Sequence, residues 1–304
     1  MSSPSDLPTG TQYSLRAGDQ HASIVSVGGG VRSYEVSGRA VLRGYAETDP
    51  PPMASGIVLV PWPNRIAGAR YRFDGAEYQL AVTEPAAGNA IHGLARRAAW
   101  EAVETAADSV TLQHVVTPEE GYPFTIRIST RWSVGPDGLR ADHAAVNTGD
   151  APAPFGLGVH PYFDLHGGSL EETTLRLPVE RYLVTDERDI PTGSSPVAGS
   201  DVDFRDGRAL GSTRLNTPFA GFSRAAGGRA EVVVGGPGRA PATLWLDPAL
   251  DFVQVFTPDD VLGAGPAIAV EPMSCAPDAF NSGDGLVVLE PGQEWHGSWG
   301  VKSA

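Results

Sequence analysis

The clearest structural pattern in the sequence lies at residues 124–146, which read FTIRISTRWSV-GPDG-LRADHAAV. Apolar residues and Thr130 occupy every second position from Phe124 to Val134, and Arg, Ser and Thr fill the positions between them. A period of two is typical of a β-strand with one buried face. A second alternating run starts at Leu139, directly after the Gly-Pro-Asp-Gly segment. The pattern therefore predicts two antiparallel strands joined by a tight turn.

Shorter runs of the same kind recur along the rest of the chain, at residues 110–116, 175–179, 231–234, 243–246, 252–257 and 286–289. Gly, Pro, Asn or Asp clusters separate most of them, and no long amphipathic helix stands between them. Strands without intervening helices argue against a βαβ fold and predict an all-β fold, as a large antiparallel sandwich or a barrel.

The sequence predicts one domain across residues 1–304. Two loop-like segments, 193–200 and 225–238, are too short for an interdomain linker, and no repeat of ~20–50 residues is visible. Residues 1–12 are polar and contain Pro4 and Pro8. We expect them to form a flexible N-terminus.

The chain is acidic, with 22 Lys and Arg against 36 Asp and Glu, a formal net charge of −14. Such a surface repels phosphate backbones and anionic lipid, so we expect neither a nucleic-acid partner nor a membrane partner. The single cysteine, Cys275, excludes an intrachain disulfide and a zinc site built on several thiolates. No signal peptide and no apolar run of ~18–20 residues is visible. These features predict a soluble, cytoplasmic protein.

Two apolar runs end in an ionisable residue followed by proline, namely His160-Pro161 and Glu271-Pro272. Proline restricts the preceding residue to an extended backbone and has no N–H for a strand ladder. Each side chain is therefore expected at a strand end, on a restricted backbone. Either residue alone is more simply a solvated strand end. Two matched cases favour a site in which His160 and Glu271 form an acid–base pair.

Two further segments carry candidate binding residues. In Pro61-Trp62-Pro63-Asn64-Arg65, a stiff backbone presents a flat aromatic face beside directional polar groups, which suits a sugar. A surface turn with a solvated Arg65 is the simpler alternative. A metal site of His92, His160 and Glu271 has the right donor types, but no local ligand spacing supports it, so we expect no metal and no cofactor.

At these segments the chain resembles the aldose 1-epimerase (galactose mutarotase) family. The motifs are short, and their order along most of the chain carries the resemblance: Trp62-Pro63-Asn64-Arg65-Ile66, Tyr71-Arg72-Phe73-Asp74-Gly75, Ile91-His92-Gly93, Gly158-Val159-His160-Pro161-Tyr162-Phe163, Phe252-Val253-Gln254-Val255-Phe256-Thr257, Val270-Glu271-Pro272-Met273-Ser274 and Leu289-Glu290-Pro291-Gly292.

The resemblance implies a large antiparallel β-sandwich of the galactose mutarotase type, with a monosaccharide bound in a cleft on one sheet. It implies that Glu271 is the general base for the anomeric hydroxyl and that His160 is the general acid for the ring oxygen. It also implies sugar-binding roles for the residues at the matching positions, which are Arg65, His92, Tyr162 and Gln254, with Asn64 beside them. A monomer or a homodimer is expected.

One position departs from the family's pattern. Where the family has a sugar-binding Asp after a Leu, this chain has Leu215-Asn216, and Asp247 is a second candidate for that role. Substrate preference therefore stays open between a neutral aldohexose and a phosphorylated or acidic sugar, for which Arg65, Arg70, Arg96 and Arg97 are candidate partners. A non-catalytic carbohydrate-binding sandwich is a further alternative. A glycosidase normally needs two catalytic carboxylates, and only one is well placed.

Overall fold

The computed structural model describes residues 7–303, and this range is built mainly of β-strands, as the alternating patterns predict. One short helix, α1 (Ala279–Ser282), and 3-10 turns at Pro52–Ala54 and Ala67–Ala69 interrupt them. The strands in chain order are β1 (Gln12–Ala17), β2 (Gln20–Val25), β3 (Val31–Val36), β4 (Arg39–Leu42), β5 (Val58–Leu59), β6 (Arg65–Ile66), β7 (Arg70–Phe73), β8 (Ala76–Gln79), β9 (Ala90–Ile91), β10 (Glu101–Thr105), β11 (Ser109–Val116), β12 (Ile126–Gly135), β13 (Gly138–Asn147), β14 (Ala153–Phe155), β15 (Gly158–Val159), β16 (Tyr162–Phe163), β17 (Thr174–Arg176), β18 (Val179–Thr185), β19 (Pro191–Pro196), β20 (Arg208–Ala209), β21 (Asn216–Phe222), β22 (Ala230–Gly236), β23 (Arg239–Leu246), β24 (Phe252–Phe256), β25 (Ile268–Met273), β26 (Val287–Leu289) and β27 (Glu294–Ser303).

The hairpin predicted from residues 124–146 is confirmed. Strands β12 and β13 pair antiparallel along their whole length, from Ile126 opposite Asn147 to Gly135 opposite Gly138. Pro136 and Asp137 form the two-residue connection between them. The apolar side chains of the alternating pattern are buried, so the period of two correctly identified the inner face.

Two large sheets account for most of the strands in the described part of the chain. The first has the order β1-β2-β3-β4-β16-β25-β24-β21-β18-β19, with β15 joining β25 to β5. The second has the order β10-β11-β12-β13-β27-β23-β22-β17-β20. All of their strand pairs are antiparallel, which agrees with the predicted large antiparallel sandwich.

One hydrophobic cluster draws residues from both sheets and forms the core between them. Its largest members include Trp132 and Trp299, which meet edge to face with ring centroids 5.8 Å apart. His143 lies in this core as well, where its Nε2 accepts a hydrogen bond from Trp299 Nε1 and its Nδ1 is 2.8 Å from Thr130 Oγ1. His143 is therefore a packed core residue with both ring nitrogens paired.

Strand β25 separates this core from the opposite face of the first sheet. Ile268 and Val270 point into the core cluster. Because successive side chains alternate between faces, Ala269, Glu271 and Met273 point the other way. Ala269 and Met273 belong to two small, separate apolar clusters on that outer face. Glu271 thus lies between two apolar patches on a rigid sheet.

The expectation of a flexible N-terminus over residues 1–12 falls in part on residues 1–6, which lie outside the described residues. Thr9 is buried, and its hydroxyl donates a hydrogen bond to the carbonyl of Glu47. Strand β1 begins at Gln12. Among residues 7–303, no helix has the length and apolar character needed to cross a membrane.

Candidate active site

Strand register brings the two candidate catalytic residues together. Gly158 pairs with Met273 and Tyr162 pairs with Ala269, so the same register sets His160 opposite Glu271. On its other side, Glu271 pairs with Gln254 of β24. Residues directly opposite in a sheet share a face, so these three side chains form one row. His160 Nε2 lies 3.3 Å from Glu271 Oε1.

The expectation that both residues sit at strand ends holds for His160 and is wrong for Glu271. His160 falls between β15 and β16, whereas Glu271 lies within β25. Strand β25 continues through Pro272 because the missing N–H of Pro272 lies on the side of β25 where the gap between β15 and β16 already interrupts the pairing. Val270 and Ser274 direct their N–H groups to the carbonyls of residues 161 and 157, so Pro272 faces the same, interrupted side. The ladder to β24 is left intact.

A second row lies beside the first and supplies two more of the predicted residues. Tyr162 pairs with Ala269, Ala269 with Phe256, and Phe256 with Asn216 of β21. The ring of Tyr162 stacks on that of His160, with centroids 4.9 Å apart. Asn216 Oδ1 accepts a hydrogen bond of 2.7 Å from Gln254 Nε2. These bonds and stacks fix the side chains of both rows.

The short β6–β9 ribbon presents Asn64, Arg65 and His92 to the same place. Arg65 pairs with Ile91, and the His92 N–H donates to the Asn64 carbonyl at 2.8 Å. Asn64 and His92 both have a left-handed backbone, with φ of 54° and 63°. Gly93 follows at φ 67°, where a Cβ would lie 2.0 Å from the carbonyl oxygen of Val60. Only glycine fits there, and the close approach holds His92 in position.

Arg65 is fixed by two carboxylates that the sequence did not indicate. Its Nε and Nη2 each donate a hydrogen bond of 2.8 Å to Glu84, one to each carboxylate oxygen. Nη2 also lies 3.2 Å from Asp189 Oδ2. Burial lowers the pKa of Arg65, but Glu84, Asp189 and Glu271 outweigh it and raise the pKa overall. Arg65 is therefore a charged, geometrically fixed donor.

Asp189 also connects this ion pair to the sheet. Asn216 Nδ2 donates to Asp189 Oδ2 at 3.1 Å. The turn that carries Asp189 is anchored by Arg188, whose guanidinium donates to Ala87 O and to Asn89 Oδ1, both at 2.9 Å. The connection from β18 to β19 is thereby tied to the 84–89 turn across the edge of the site.

One cavity of about 280 Å³ is lined by all eight residues to which the sequence analysis gave a catalytic or sugar-binding role, with Asn216 as the departure from the family's pattern. This volume is just below the ~300–1,000 Å³ of sites for drug-sized ligands, and it suits a ligand as small as one sugar ring. The lining residues are Met53, Ala54, Asn64, Arg65, Glu84, Ile91, His92, Arg96, His160, Tyr162, Asn216, Gln254, Phe256 and Glu271.

Four buried polar atoms in this cavity have no hydrogen-bond partner among the described residues: His92 Nδ1, His160 Nδ1, Gln254 Oε1 and Glu271 Oε2. A buried polar group without a partner costs about 1–3 kcal/mol, and such groups are few in native proteins. All four belong to residues that line this cavity, which makes it the candidate site for a polar ligand.

Burial acts in opposite directions on the two central residues. It raises the pKa of Glu271 well above its usual value, although Arg65 partly opposes the shift. It lowers the pKa of His160 to about 4. Both shifts disfavour the charged form of each group, as expected for a carboxyl and an imidazole that are removed from water.

Several other sequence-based candidates lie elsewhere. Trp62, expected as a sugar-stacking face, is wrong for that role because it is buried in the core against Tyr122 and Phe280. Asp247 accepts hydrogen bonds from the N–H groups of residues 249 and 298 at the second sheet, so it is a turn residue outside the cavity. Within residues 7–303, no group of three or more His, Cys, Asp or Glu residues is arranged to hold a metal ion.

Reasoning from the sequence missed some residues that line the cavity and one, Asp189, that supports Arg65 from outside it. Glu84 and Asp189 occur in loops with no local motif, and only their common partner Arg65 reveals them. Met53 has a left-handed backbone, with φ of 46°, and lies in a Pro-rich segment that gives no signal for a site. Phe256 was predicted to lie in a strand. That its side chain faces the cavity follows only from the pairing of β24 with β25.

Comparison with known proteins identifies the class. A sequence model of the family described as aldose 1-epimerase matches residues 11–301. The protein YihR of Escherichia coli K12, described as uncharacterized, is 36% identical over 286 residues, which cover 94% of this chain and 91% of YihR. Human galactose mutarotase is 27% identical over 241 residues, covering 71% and 68% of the two chains. The chain belongs to the aldose 1-epimerase family, a class of isomerases.

Solved structures support the fold. A putative aldose 1-epimerase from Escherichia coli K12 superposes with a TM-score of 0.81 at 24% identity, covering 97% of this chain and 99% of that one. A galactose mutarotase-like protein from Clostridium acetobutylicum gives a TM-score of 0.84 at 18% identity, with coverage of 96% and 94%. The galactose mutarotase-type sandwich expected from the sequence is thus confirmed.

Proposed function

We propose that this protein interconverts the α and β anomers of a free aldohexose by acid–base-catalysed opening and reclosure of the pyranose ring. The observation that carries the proposal is the buried pair of His160 and Glu271, 3.3 Å apart in a cavity of sugar size. The two oxygens that exchange protons in this reaction, O1 and O5, are both bonded to C1. An acid and a base that act on them must therefore lie side by side.

In the forward step, Glu271 accepts the proton of the O1 hydroxyl as C1 becomes a carbonyl carbon. The C1–O5 bond breaks, and O5 takes a proton from His160. Rotation about the C1–C2 bond presents the other carbonyl face to O5, and the reverse proton transfers close the ring as the opposite anomer. The reaction is an isomerisation without change of oxidation state, so atoms and electrons balance without a co-reactant.

The short distance between His160 and Glu271 suits this cycle. Ring opening converts carboxylate and imidazolium into carboxylic acid and imidazole, and ring closure reverses the change. The two forms differ by one proton moved between neighbouring groups. Arg65 and the sugar hydroxyls favour the carboxylate, because hydrogen bonds and opposite charge stabilise the ionised form. A positioned acid or base contributes ~10²–10⁴-fold to the rate.

The surrounding residues are assigned to sugar binding. Asn216 and Gln254 present donors and acceptors from the sheet, and Asn64, Arg65 and His92 present them from the β6–β9 ribbon. Tyr162 packs on His160 and donates to the Met53 carbonyl at 3.4 Å, which orients both rings. These groups match the alternating donors and acceptors of a polyol.

Polarimetry of freshly dissolved α-D-glucose and α-D-galactose tests the proposal. We expect faster equilibration with the protein than with buffer, and at least a ~100-fold loss of that acceleration in His160→Asn. His296→Asn, which changes an exposed histidine of β27, is the matched control and should retain full activity. Sugar binding without turnover by the unaltered protein contradicts the proposal and favours a carbohydrate-binding role.

A further inference from the structure

A chain of three polar side chains leads from the turn between β18 and β19 to the centre of the cavity. Asn216, the first residue of β21, donates from Nδ2 to Asp189 Oδ2 at 3.1 Å. Its Oδ1 accepts a hydrogen bond of 2.7 Å from Nε2 of Gln254 in β24. Gln254 is the strand neighbour of Glu271, so the chain ends beside the proposed base.

The first member of this chain fixes the direction of both hydrogen bonds in it. The Asp189 carboxylate has acceptors only, so Asn216 must turn its NH2 group toward it. The Asn216 carbonyl oxygen then faces Gln254, which must donate from its own NH2 group. Reversing either amide, or both together, places two acceptors or two donors against each other. The orientation of the Gln254 amide is therefore determined by a residue that does not itself line the cavity.

Asp189 is held in place for this role from two sides. Arg65 Nη2 lies 3.2 Å from the same oxygen, Oδ2, that accepts from Asn216. Within the turn, Asp186 Oδ1 accepts the N–H groups of residues 188 and 190, both at 2.9 Å. Asp189 has a left-handed backbone, with φ of 58°, which aspartate, asparagine and glycine tolerate best. The turn thus places a hydrogen-bond acceptor at a fixed point beside β21.

The consequence for a substrate lies at the other end of the chain. Gln254 is only 3% exposed, and its Oε1 has no hydrogen-bond partner between residues 7 and 303. Because the amide cannot turn over, the group that it presents to the cavity is an acceptor. A hydroxyl group satisfies this acceptor by donating, whereas a fluorine substituent has no hydrogen to donate. A buried acceptor that loses its donor weakens an interaction by about 10-fold or more.

Resting on the proposed function, we infer that Asp189 is a positioning residue that determines specificity. Through Asn216 it holds Gln254 Oε1 as a fixed acceptor, so the substrate must carry a donating hydroxyl group at that point of the sugar. Without Asp189 both amides can turn over together. Gln254 then presents its NH2 group, which is compatible with a hydroxyl group and with fluorine alike.

Sugars with a single fluorine substituent report the direction of this hydrogen bond. The probes are D-glucose or D-galactose, whichever reacts faster, and its 2-, 3-, 4- and 6-monofluoro derivatives, each with one hydroxyl group replaced. Exchange NMR at anomeric equilibrium gives kcat/KM for each sugar relative to its own rate in buffer. The fluorine penalty is the factor by which this ratio falls below that of the parent sugar. We expect a penalty of about 10-fold or more at one or more positions.

Asp189→Gly removes the carboxylate and suits the left-handed backbone. It should reduce the fluorine penalty by about 10-fold at one position and leave the others unchanged, while the parent sugar reacts within a few-fold of its former rate. A gain on one fluorinated sugar cannot result from unfolding. Asp189→Asn should keep the penalty, because Arg65 and Asn216 donate to the same oxygen and hold the amide carbonyl there. In an Asn216→Ala background, Asp189→Gly should change the penalty no further.

Two control variants separate this role from others. Glu187→Gln removes an exposed carboxylate from the same turn and should leave every rate unchanged. Glu84→Gln removes the other carboxylate partner of Arg65, and it should lower kcat/KM for every sugar without changing the fluorine penalty.

The inference is overturned if Asp189→Gly leaves every penalty unchanged, or if Asp189→Asn reduces the same penalty equally. Turnover of all four fluorinated sugars as fast as the parent sugar by the unaltered protein also overturns it, and leaves the proposed function intact. Acceleration of none of the sugars refutes the proposed function and the inference with it.

Discussion

Replacing Glu271 by Gln should abolish activity and change the way in which stability depends on pH. The side chain is 2% exposed, and burial raises the pKa of its carboxyl group well above the usual value. In the unfolded chain the same carboxyl titrates at its ordinary pKa of 4.5. Above that pH the unfolded state releases a proton that the folded state retains, so the folded state becomes progressively less favourable as pH rises.

Linkage gives the magnitude of this effect. A difference of one bound proton changes the free energy of unfolding by ~1.4 kcal/mol per pH unit. The contribution of Glu271 to stability therefore falls with this slope over the pH range above 4.5 in which the folded state keeps the proton. Glutamine has the same shape and no proton to lose. Relative to the wild type, the variant should gain stability on going from pH 5 to pH 7.

Urea unfolding followed by tryptophan fluorescence at pH 5, 6 and 7 measures this difference directly. Glu231→Gln removes an exposed carboxylate far from the site and serves as the control, whose curve should run parallel to the wild type. The Glu271→Gln enzyme should also lose at least ~100-fold in mutarotation. Parallel stability curves for wild type and Glu271→Gln refute the buried-carboxyl reasoning, and retained activity refutes the assignment of the base.

Two further outcomes follow from the same site. The pH profile of kcat/KM should be bell-shaped, with an acid limb near pH 4, where His160 takes up a proton, and an alkaline limb where Glu271 loses its proton. Because the groups interact, both limbs belong to the pair. An acid limb near pH 6.5 contradicts this. Glu84→Gln should raise KM by about 10-fold with little change in kcat, because Arg65 keeps Asp189 but loses its two-bond partner. Steady-state kinetics distinguish this result from a fall in kcat, which assigns Arg65 to the chemical step.

The fold was predictable because its signal is local. The alternation at residues 124–134 identified a strand, its face and the hairpin turn, and antiparallel pairing needs no information beyond that. The order of strands in the two sheets was not predictable, since β16 pairs with β4 and β25 across more than a hundred residues. The resemblance to a family implied a large antiparallel sandwich but no order of strands.

The site shows the same division between local and long-range information. His160 and Glu271 were identified by their prolines, although the reasoning for Glu271 was wrong in placing it at a strand end. Glu84 and Asp189 were not identifiable, because a carboxylate in a loop has no pattern until its partner is known. The pKa shifts of the pair were not predictable either, since the sequence does not report how completely a side chain is buried.

The position of the pair against strand β25 accounts for two of its properties: the alignment of His160 with Glu271, and the burial that shifts their pKa values. Register places Glu271 between His160 on one side and Gln254 on the other, so no separate element is needed to align acid and base. The apolar clusters on either side, which include Ala269 and Met273, exclude water from this row. Exclusion of water raises the pKa of the carboxyl and lowers that of the imidazole, which brings the two proton affinities into reach of one another. The same exclusion leaves buried polar atoms of His160, Gln254 and Glu271 without a hydrogen-bond partner among the described residues.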